Sequence, residues 1–236
     1  ILAFVAAITE RLRLVSSVLI LPCRNPVLTA KMLATIDVLS EGRLTVGVGI
    51  GWLEEEFTAL GAPDFRRRGA ASDEYLRIFR KLWSESPASH AGEFYSFDGI
   101  RCEPFPIQRP GPPIWVGGHS AAALRRTARY GDGWHPVGAI AAVPLPPAEM
   151  REKLAELRRL TEAAGRDFAA LTISYKVPLY DMALPGPDGA RRPFSGEPGQ
   201  IAEDIQAFAA IGVHELIFDF RGETLAGSLA RLEGFA

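Results

Sequence analysis

The sequence has few of the residues that mark a disulfide-stabilised, metal-binding or membrane-spanning protein. It contains two cysteines, Cys23 and Cys102, and its four histidines do not stand at metal-ligand spacing. No apolar run reaches the roughly 18 residues that a membrane-spanning helix needs. We therefore expect a cytoplasmic protein that has no disulfide framework, no bound metal and no membrane anchor.

An excess of charge and the familiar hydrolase motifs are missing as well. The net charge is −2, so the chain lacks the basic footprint of a nucleic-acid-binding protein. It has no G-x-S-x-G nucleophile elbow and no H-E-x-x-H zinc helix. These absences disfavour nucleic-acid partners and hydrolase chemistry, and they favour an enzyme whose cofactor carries the difficult step.

What is present is a regular alternation of short apolar runs and amphipathic helices. Strands that alternate with helices indicate a parallel sheet with right-handed crossovers. An open doubly wound sheet and a (β/α)8 barrel both fit this pattern, and the regular spacing favours the barrel. The predicted strands are Leu12–Leu21, Arg43–Ile50, Pro113–Val116, Trp134–Val137, Leu171–Val177 and Val213–Phe220.

We find no linker that would divide the chain and expect one barrel domain over residues 1–236. Two stretches, 92–112 and 180–197, are rich in glycine and proline and are predicted to be insertion or lid loops. The chain begins at Ile1, within a stretch that resembles the second half of a helix. We therefore expect that the first two β/α units of the barrel are missing from this chain.

The sequence predicts where two helices begin and which face of one of them is buried. Asn25 and Pro26 supply an N-cap and a first-turn proline. Farther along, Ser72 is predicted to cap a helix with acidic residues, Asp73 and Glu74, in its first turn. In the helix that follows Asn25, helical spacing predicts burial of Leu28, Met32, Ile36 and Leu39.

The clearest functional candidate in the sequence is the glycine turn Gly117–Ser120. It follows a strand and lies at the start of the predicted helix Ser120–Tyr130. Backbone N–H groups and the dipole at a helix N-terminus favour an anion, and glycine lets a phosphate approach the main chain. A tight strand-to-helix turn with Ser120 as an ordinary cap explains the same residues without a ligand. His119 fits either a catalytic base or a loop residue.

Two further candidates lie at and after the strand that ends near Ile50. The alternating glycines Gly47, Gly49 and Gly51 do not have dinucleotide-fingerprint spacing. They would let a flat ring pack against the backbone, or they would simply relieve crowding at a barrel mouth. The run Glu54–Glu56 offers acid–base groups, although a charge run is usually a solvated face.

Several long stretches together resemble one known family. They are NPVLTAKMLATIDVLSEGRLTVGVGIGWLEEEF over Asn25–Phe57 and PIWVGGHSAAALRRTARYGDGWHPVG over Pro113–Gly138, supported by RRRGAASDEYLRIFRKLW and PGQIAEDIQAFAAIGVHELIFDF. These stretches resemble the bacterial luciferase-like superfamily, and more closely its branch of oxidoreductases that use the deazaflavin coenzyme F420. The resemblance implies a (β/α)8 TIM barrel of the luciferase-like type.

The resemblance also implies roles for particular residues. Ser17 and Val18 would form a non-proline cis peptide that backs the flavin ring, and Gly49, Ile50 and Gly51 would line that ring or its side chain. Gly117, Gly118, His119 and Ser120 would hold the phosphate end of the cofactor. Trp52 stands where the sugar-phosphate dehydrogenase branch has a catalytic glutamate, so we do not predict that substrate.

Three functions follow from this resemblance. The first is hydride transfer between F420 and a small organic substrate, with Glu55 as acid–base candidate and Arg24, Trp52, His135 and Lys176 on the substrate side. The second is an FMN-dependent monooxygenase that uses O2, and the motif GDGW at 131–134 favours the deazaflavin over it. The third is a non-catalytic flavin-binding barrel, or a barrel that binds nothing, which works as a structural or regulatory partner. Relatives of this kind are often homodimers, and we expect a homodimer here.

Overall fold

The computed structural model describes residues 1–140, 142–178 and 191–235. The chain divides into two compact units, which are described separately. Unit 1 comprises Ile1–Gly117 and Arg129–Asp132, and unit 2 comprises Gly118–Ala128 and the residues from Gly133 onward. Among the described residues, no helix has both the length and the apolar character needed to cross a membrane.

Unit 1 is built on parallel strands that lie beside α-helices. Strands β1 and β2 both pair in parallel with β3, and β3 pairs in parallel with β6. A separate antiparallel hairpin is formed by β4 and β5. In chain order the elements are α1 (Leu2–Ile8), β1 (Leu14–Val15), β2 (Leu19–Ile20), α2 (Pro26–Leu39), β3 (Leu44–Gly49), α3 (Glu54–Ala59), α4 (Arg68–Ser84), β4 (Ala88–Ala91), β5 (Ser96–Ile100) and β6 (Ile114–Gly117).

Helix α2 begins as predicted but buries the opposite face. Asn25 caps it by accepting a hydrogen bond from the Leu28 amide at 3.0 Å. The prediction that Leu28, Met32 and Leu39 are buried is wrong, because each is more than half exposed, and Ile36 is only partly buried. The buried positions instead include the small residues Ala30 and Ala34, along with Leu33.

Small side chains explain this choice of face, because they let a bulky neighbour approach the α2 backbone. The Trp83 indole of α4 is fully buried and donates its N–H to the Ala30 carbonyl oxygen at 3.0 Å. A larger side chain at position 30 would keep the indole away from this carbonyl. Close helix packing therefore decides which of two apolar faces is buried.

Helix α4 starts earlier than predicted, so Ser72 is not its cap. The helix begins at Arg68, and the Ser72 hydroxyl donates to the Arg68 carbonyl oxygen at 2.8 Å from within the helix. Glu74 is consequently not in the first turn and is buried. Its buried side chains include Leu76, Phe79 and Trp83.

The buried Glu74 carboxylate holds the tip of the β4–β5 hairpin. It accepts hydrogen bonds from the backbone amides of Glu93, Phe94 and Tyr95 at 2.9–3.2 Å. Gly92 completes the contact, since a Cβ there would lie 2.1 Å from a Glu74 oxygen. This hairpin occupies part of the predicted 92–112 insertion.

Unit 2 carries the parallel strands β7, β8 and β9, with β8 paired to both others. Its buried core includes Leu154, Leu157, Tyr175, Phe194 and Phe208, so apolar side chains of α6 and α7 pack on one face of β8. Its elements are α5 (Ala121–Tyr130, whose last two residues belong to unit 1), β7 (Gly133–His135), α6 (Pro147–Ala163), β8 (Thr172–Val177), α7 (Pro198–Ala210), β9 (Glu215–Phe218) and α8 (Leu225–Phe235). Most of the predicted 180–197 lid loop lies outside the described residues.

Candidate cofactor site

In unit 1 the predicted ring-contacting residues are the Ser17–Val18 segment, which lies between β1 and β2, and residues Gly49–Gly51, at and just after the carboxyl end of β3. The peptide bond between Ser17 and Val18 is cis, as the resemblance implies. Ile20 of β2 pairs with Gly49 of β3, and a Cβ on Gly49 would lie 2.8 Å from Val18 Cγ2. The fold therefore brings the Ser17–Val18 segment together with the end of β3.

Crowding by the chain itself explains the alternating glycines of β3. A Cβ at Gly47 would lie 1.9 Å from the Ser16 carbonyl oxygen, and one at Gly51 would lie 2.6 Å from the Phe57 ring. Gly51 also has a φ of +81°, which favours glycine. Of the two explanations that the sequence leaves open, crowding at the strand end accounts for these glycines without a ligand.

The loop after β3 presents large side chains to solvent. Trp52 is 81% exposed, and Arg24 and Glu55 are exposed as well. Glu55 and Glu56 both belong to the first turn of the short helix α3, and the charge of Glu56 acts on Cys23. Burial raises the pKa of the Cys23 thiol, the charge of Glu56 raises it further, and Arg24 opposes them.

Arg68, at the start of α4, contacts the segment that follows the carboxyl end of β3. Its Nε donates to the Gly51 carbonyl oxygen at 3.2 Å, and its guanidinium stacks on the Phe65 ring at 3.9 Å from the ring centroid. The sequence motif RRRGAASDEY carries this arginine, but nothing in its spacing indicates the Gly51 carbonyl as the partner. The orientation of the Gly51 peptide thus depends on a side chain 17 positions away.

In unit 2 the glycine turn has the geometry that its sequence predicts. Gly118 is exposed, has a φ of +90°, and a Cβ there would meet only Ala123 Cβ at 3.4 Å. The Ser120 hydroxyl accepts a hydrogen bond from the Ala123 amide at 3.2 Å, which makes it the cap of α5. The backbone of this turn is therefore open to a ligand at the positive end of the helix dipole.

The motif GDGW has two internal structural roles. Within unit 1, Asp132 accepts a hydrogen bond from the Ile114 amide at 2.8 Å and forms an ion pair with Arg80. Within unit 2, the Trp134 indole is fully buried and donates to the Gly118 carbonyl oxygen at 2.7 Å. Asp132 and Trp134 therefore both contribute to the fold, whichever cofactor the protein binds.

His135 and Lys176 follow on the adjacent strands of unit 2. The His135 ring is buried, and its Nδ1 lies 2.6 Å from the Ser174 hydroxyl oxygen. Burial lowers the pKa of His135 to about 4, and the positive charge of Lys176 adds to this shift. The ring is therefore neutral near pH 7 and is suited to hydrogen bonding rather than to holding a charge.

Asp219 and Arg221, which sequence reasoning missed, lie just beyond the end of β9. Burial lowers the pKa of Lys176, and the Asp219 carboxylate opposes that shift. The Arg221 guanidinium binds the Asp219 carboxylate at 2.9 Å and holds its pKa below the usual range. A position directly after a parallel strand is the signal that would have found both residues.

The residues of unit 2 thus fit the phosphate end of a cofactor, on the strength of the open glycine turn. In unit 1 the space beside the β3 glycines is filled by Ser16, Val18 and Phe57, so these glycines are not evidence for a bound ring. Across the described ranges, no three His, Cys, Asp or Glu side chains cluster in a way that could hold a metal ion.

Comparison with known proteins gives relatives for nearly the whole chain. The family model of luciferase-like monooxygenases matches residues 1–183. The chain is 30% identical to the FMNH(2)-dependent dimethylsulfone monooxygenase of Pseudomonas putida, over 91% of this chain and 70% of that protein.

Solved structures agree with this assignment at the level of the fold. Monooxygenase RslO1 from Streptomyces bottropensis aligns with a TM-score of 0.79 at 24% identity, covering 98% of this chain and 78% of that one. The coenzyme F420-dependent tetrahydromethanopterin reductase from Methanopyrus kandleri aligns with a TM-score of 0.78 at 16% identity, covering 100% and 86%. The predicted fold class is confirmed as an α/β fold that corresponds to part of a luciferase-like TIM barrel. The family model covers well over half of the sequence, so this chain belongs to the luciferase-like monooxygenase family and is an oxidoreductase of that family.

Proposed function

We propose that this chain binds coenzyme F420 and passes a hydride between that coenzyme and a small organic substrate. The observation that carries the proposal is the open turn at Gly118, which is capped by Ser120 at the start of α5. A structural relative of the same fold is F420-dependent. A phosphate-bearing deazaflavin matches both the turn and the family.

The chain's own residues would have distinct tasks. The turn residues Gly117–Ser120 hold the cofactor phosphate through backbone N–H groups. The Ser17–Val18 segment and residues Gly49–Gly51 contact the ring. The bound deazaflavin supplies the two-electron carrier, and the protein orients the substrate and excludes water.

Four side chains are proposed to contact the substrate, and each has a different character. Trp52 offers a large exposed apolar surface, and Arg24 offers an exposed positive charge. His135 offers a neutral ring whose position is fixed by Ser174, while Lys176 is a partly buried cation. We keep Glu55 as the acid–base candidate, and its exposure makes Glu55→Gln a direct test with little risk to folding.

An FMN-dependent monooxygenase is the second candidate. The dimethylsulfone monooxygenase of Pseudomonas putida is FMNH(2)-dependent and 30% identical to this chain. FMN also carries a phosphate that suits the Gly118 turn.

A cofactor titration separates these candidates. Purified protein is titrated with F420 and with FMN while cofactor fluorescence is followed, and oxygen uptake is then measured with the reduced cofactor. Preferential F420 binding without oxygen uptake supports hydride transfer, whereas tight FMN binding with oxygen uptake contradicts it. If neither cofactor binds, the non-catalytic barrel is the better description. Light scattering of the same sample tests the expected homodimer.

A further inference from the structure

We propose that Trp134 is a positioning residue that selects phosphate-bearing cofactors by fixing the peptide between Gly118 and His119. This inference rests on the proposed function, in which the glycine turn receives the cofactor phosphate. Trp134 itself is buried and touches no ligand in this scheme. It acts through the single hydrogen bond from its indole N–H to the Gly118 carbonyl oxygen.

Gly118 itself imposes little steric restraint on this peptide. The residue is exposed, and an added Cβ would meet only Ala123 at an ordinary contact distance of 3.4 Å. Glycine populates positive and negative φ with similar ease, so its peptide can rotate between orientations. The indole hydrogen bond of 2.7 Å selects one of them.

The planarity of the peptide bond links the direction of the Gly118 carbonyl to that of the His119 N–H. In a trans peptide the carbonyl of one residue and the N–H of the next point in opposite directions. Because the Gly118 carbonyl is directed at the buried indole, the His119 N–H is directed away from it. That amide then stands at the N-terminal end of α5, where the helix dipole favours an anion.

A phosphate ligand gains affinity from this fixed orientation of the His119 amide. An amide that is already aimed at the phosphate needs no reorientation when the ligand binds, so less free energy is lost on binding. The gain applies to the phosphate group and not to the isoalloxazine or deazaflavin ring. Trp134 should therefore affect FMN and riboflavin differently, although the two share the same ring.

The chain offers a matched control in Trp83. Its indole is equally buried and donates to a backbone carbonyl, that of Ala30, at 3.0 Å. Trp83→Phe removes the same kind of hydrogen bond from the core of unit 1. Any general loss of stability from deleting a buried indole N–H is therefore present in both variants.

The experiment measures the dissociation constants of FMN and riboflavin for the wild type, Trp134→Phe and Trp83→Phe. We expect Trp134→Phe to weaken FMN binding roughly three- to tenfold, the loss of about one hydrogen bond, and to leave riboflavin binding unchanged. Trp83→Phe should leave the ratio of the two constants at its wild-type value. F420 and its phosphate-free deazaflavin chromophore form a second pair for the same comparison.

A measurement on the wild type tests the same inference even if the Trp134→Phe variant does not fold. In protein with 15N-labelled tryptophan, FMN should shift the indole N–H resonance of Trp134 more than riboflavin does, and the resonance of Trp83 should not respond. An unchanged FMN-to-riboflavin ratio in Trp134→Phe, or equal resonance shifts with both ligands, overturns the inference. Failure of the wild type to bind either cofactor pair instead overturns the proposed function.

Discussion

Gly47 of unit 1 and Gly118 of unit 2 are required for different physical reasons. In unit 1, a Cβ on Gly47 would collide with the Ser16 carbonyl oxygen at 1.9 Å. In unit 2, a Cβ on Gly118 would find ordinary van der Waals space, and only the φ of +90° favours glycine. The first glycine permits two strands to approach, and the second leaves backbone open to solvent. Glycine content alone therefore does not distinguish a packing site from a binding site.

The largest effect is expected where the collision is with backbone. Gly47→Ala should cost about 4 kcal/mol or prevent folding, because the Ser16 carbonyl cannot move without breaking the β1–β3 pairing. Urea unfolding measures this loss. Gly199→Ala, at a helical position with no atom within 4 Å of the added Cβ, is the control and should leave stability unchanged or raise it by up to about 1 kcal/mol. A mild Gly47→Ala variant would contradict the crowding explanation.

A second large effect is expected at the buried carboxylate of unit 1. Glu74→Ala should cost about 3 kcal/mol, because the amides of Glu93, Phe94 and Tyr95 lose their acceptor in a partly buried site. Hydrogen exchange of these three amides should accelerate relative to the rest of the unit. The control is Glu93→Gln in the same hairpin, which removes an exposed ion pair between Glu93 and Arg67. It should leave the hydrogen exchange of the three amides nearly unchanged. Equal effects of the two substitutions would refute a specific role for Glu74.

Unit 2 should show a pH dependence that comes from His135. Its pKa of about 4 in the folded protein lies below the ordinary value of 6.5, so the unfolded chain binds more protons between these values. The free energy of unfolding should therefore fall by about 2 kcal/mol as the pH drops from 7 to 5. Urea unfolding across this range tests the expectation. His135→Gln should flatten the profile, and an identical slope in that variant would show that another group is responsible.

The smallest effect is expected at the open glycine. Gly118→Ala should cost only about 1–2 kcal/mol, the strain of a positive φ without a collision. Gly165→Ala has a similar φ of +72° and open space, so it should lose about the same stability by urea unfolding. If Gly118→Ala were as damaging as Gly47→Ala, the contrast between the two units would be wrong.

The order of strands and helices follows from the sequence, because alternating apolar runs and caps such as Asn25 are local signals. The buried face of α2 does not, because apolar residues occupy both of its faces. Only the approach of Trp83 to Ala30, residues far apart in the chain, favours one of them. The anchoring role of Glu74 was not predictable either, because its partners are backbone amides that have no side-chain signature.

The same difference between local and long-range signals applies to the candidate site. The turn at Gly118 and its cap Ser120 were predictable, because both depend on residues within one turn of a helix. The hydrogen bonds from Trp134 to Gly118 and from Arg68 to Gly51 were not, since each joins positions that are 16 or 17 residues apart. Long-range donors that orient backbone groups leave no pattern in a single sequence.

The attachment of the β4–β5 hairpin has a consequence for protein engineering. Glu74 contacts main-chain N–H groups, which any residue except proline provides. The side chains at positions 93–95 are therefore open to exchange while the anchor itself is retained. Gly92 is the exception, because a Cβ there would meet the Glu74 carboxylate at 2.1 Å. A library that keeps Gly92 and Glu74 can vary the tip of this loop and still dock it on α4.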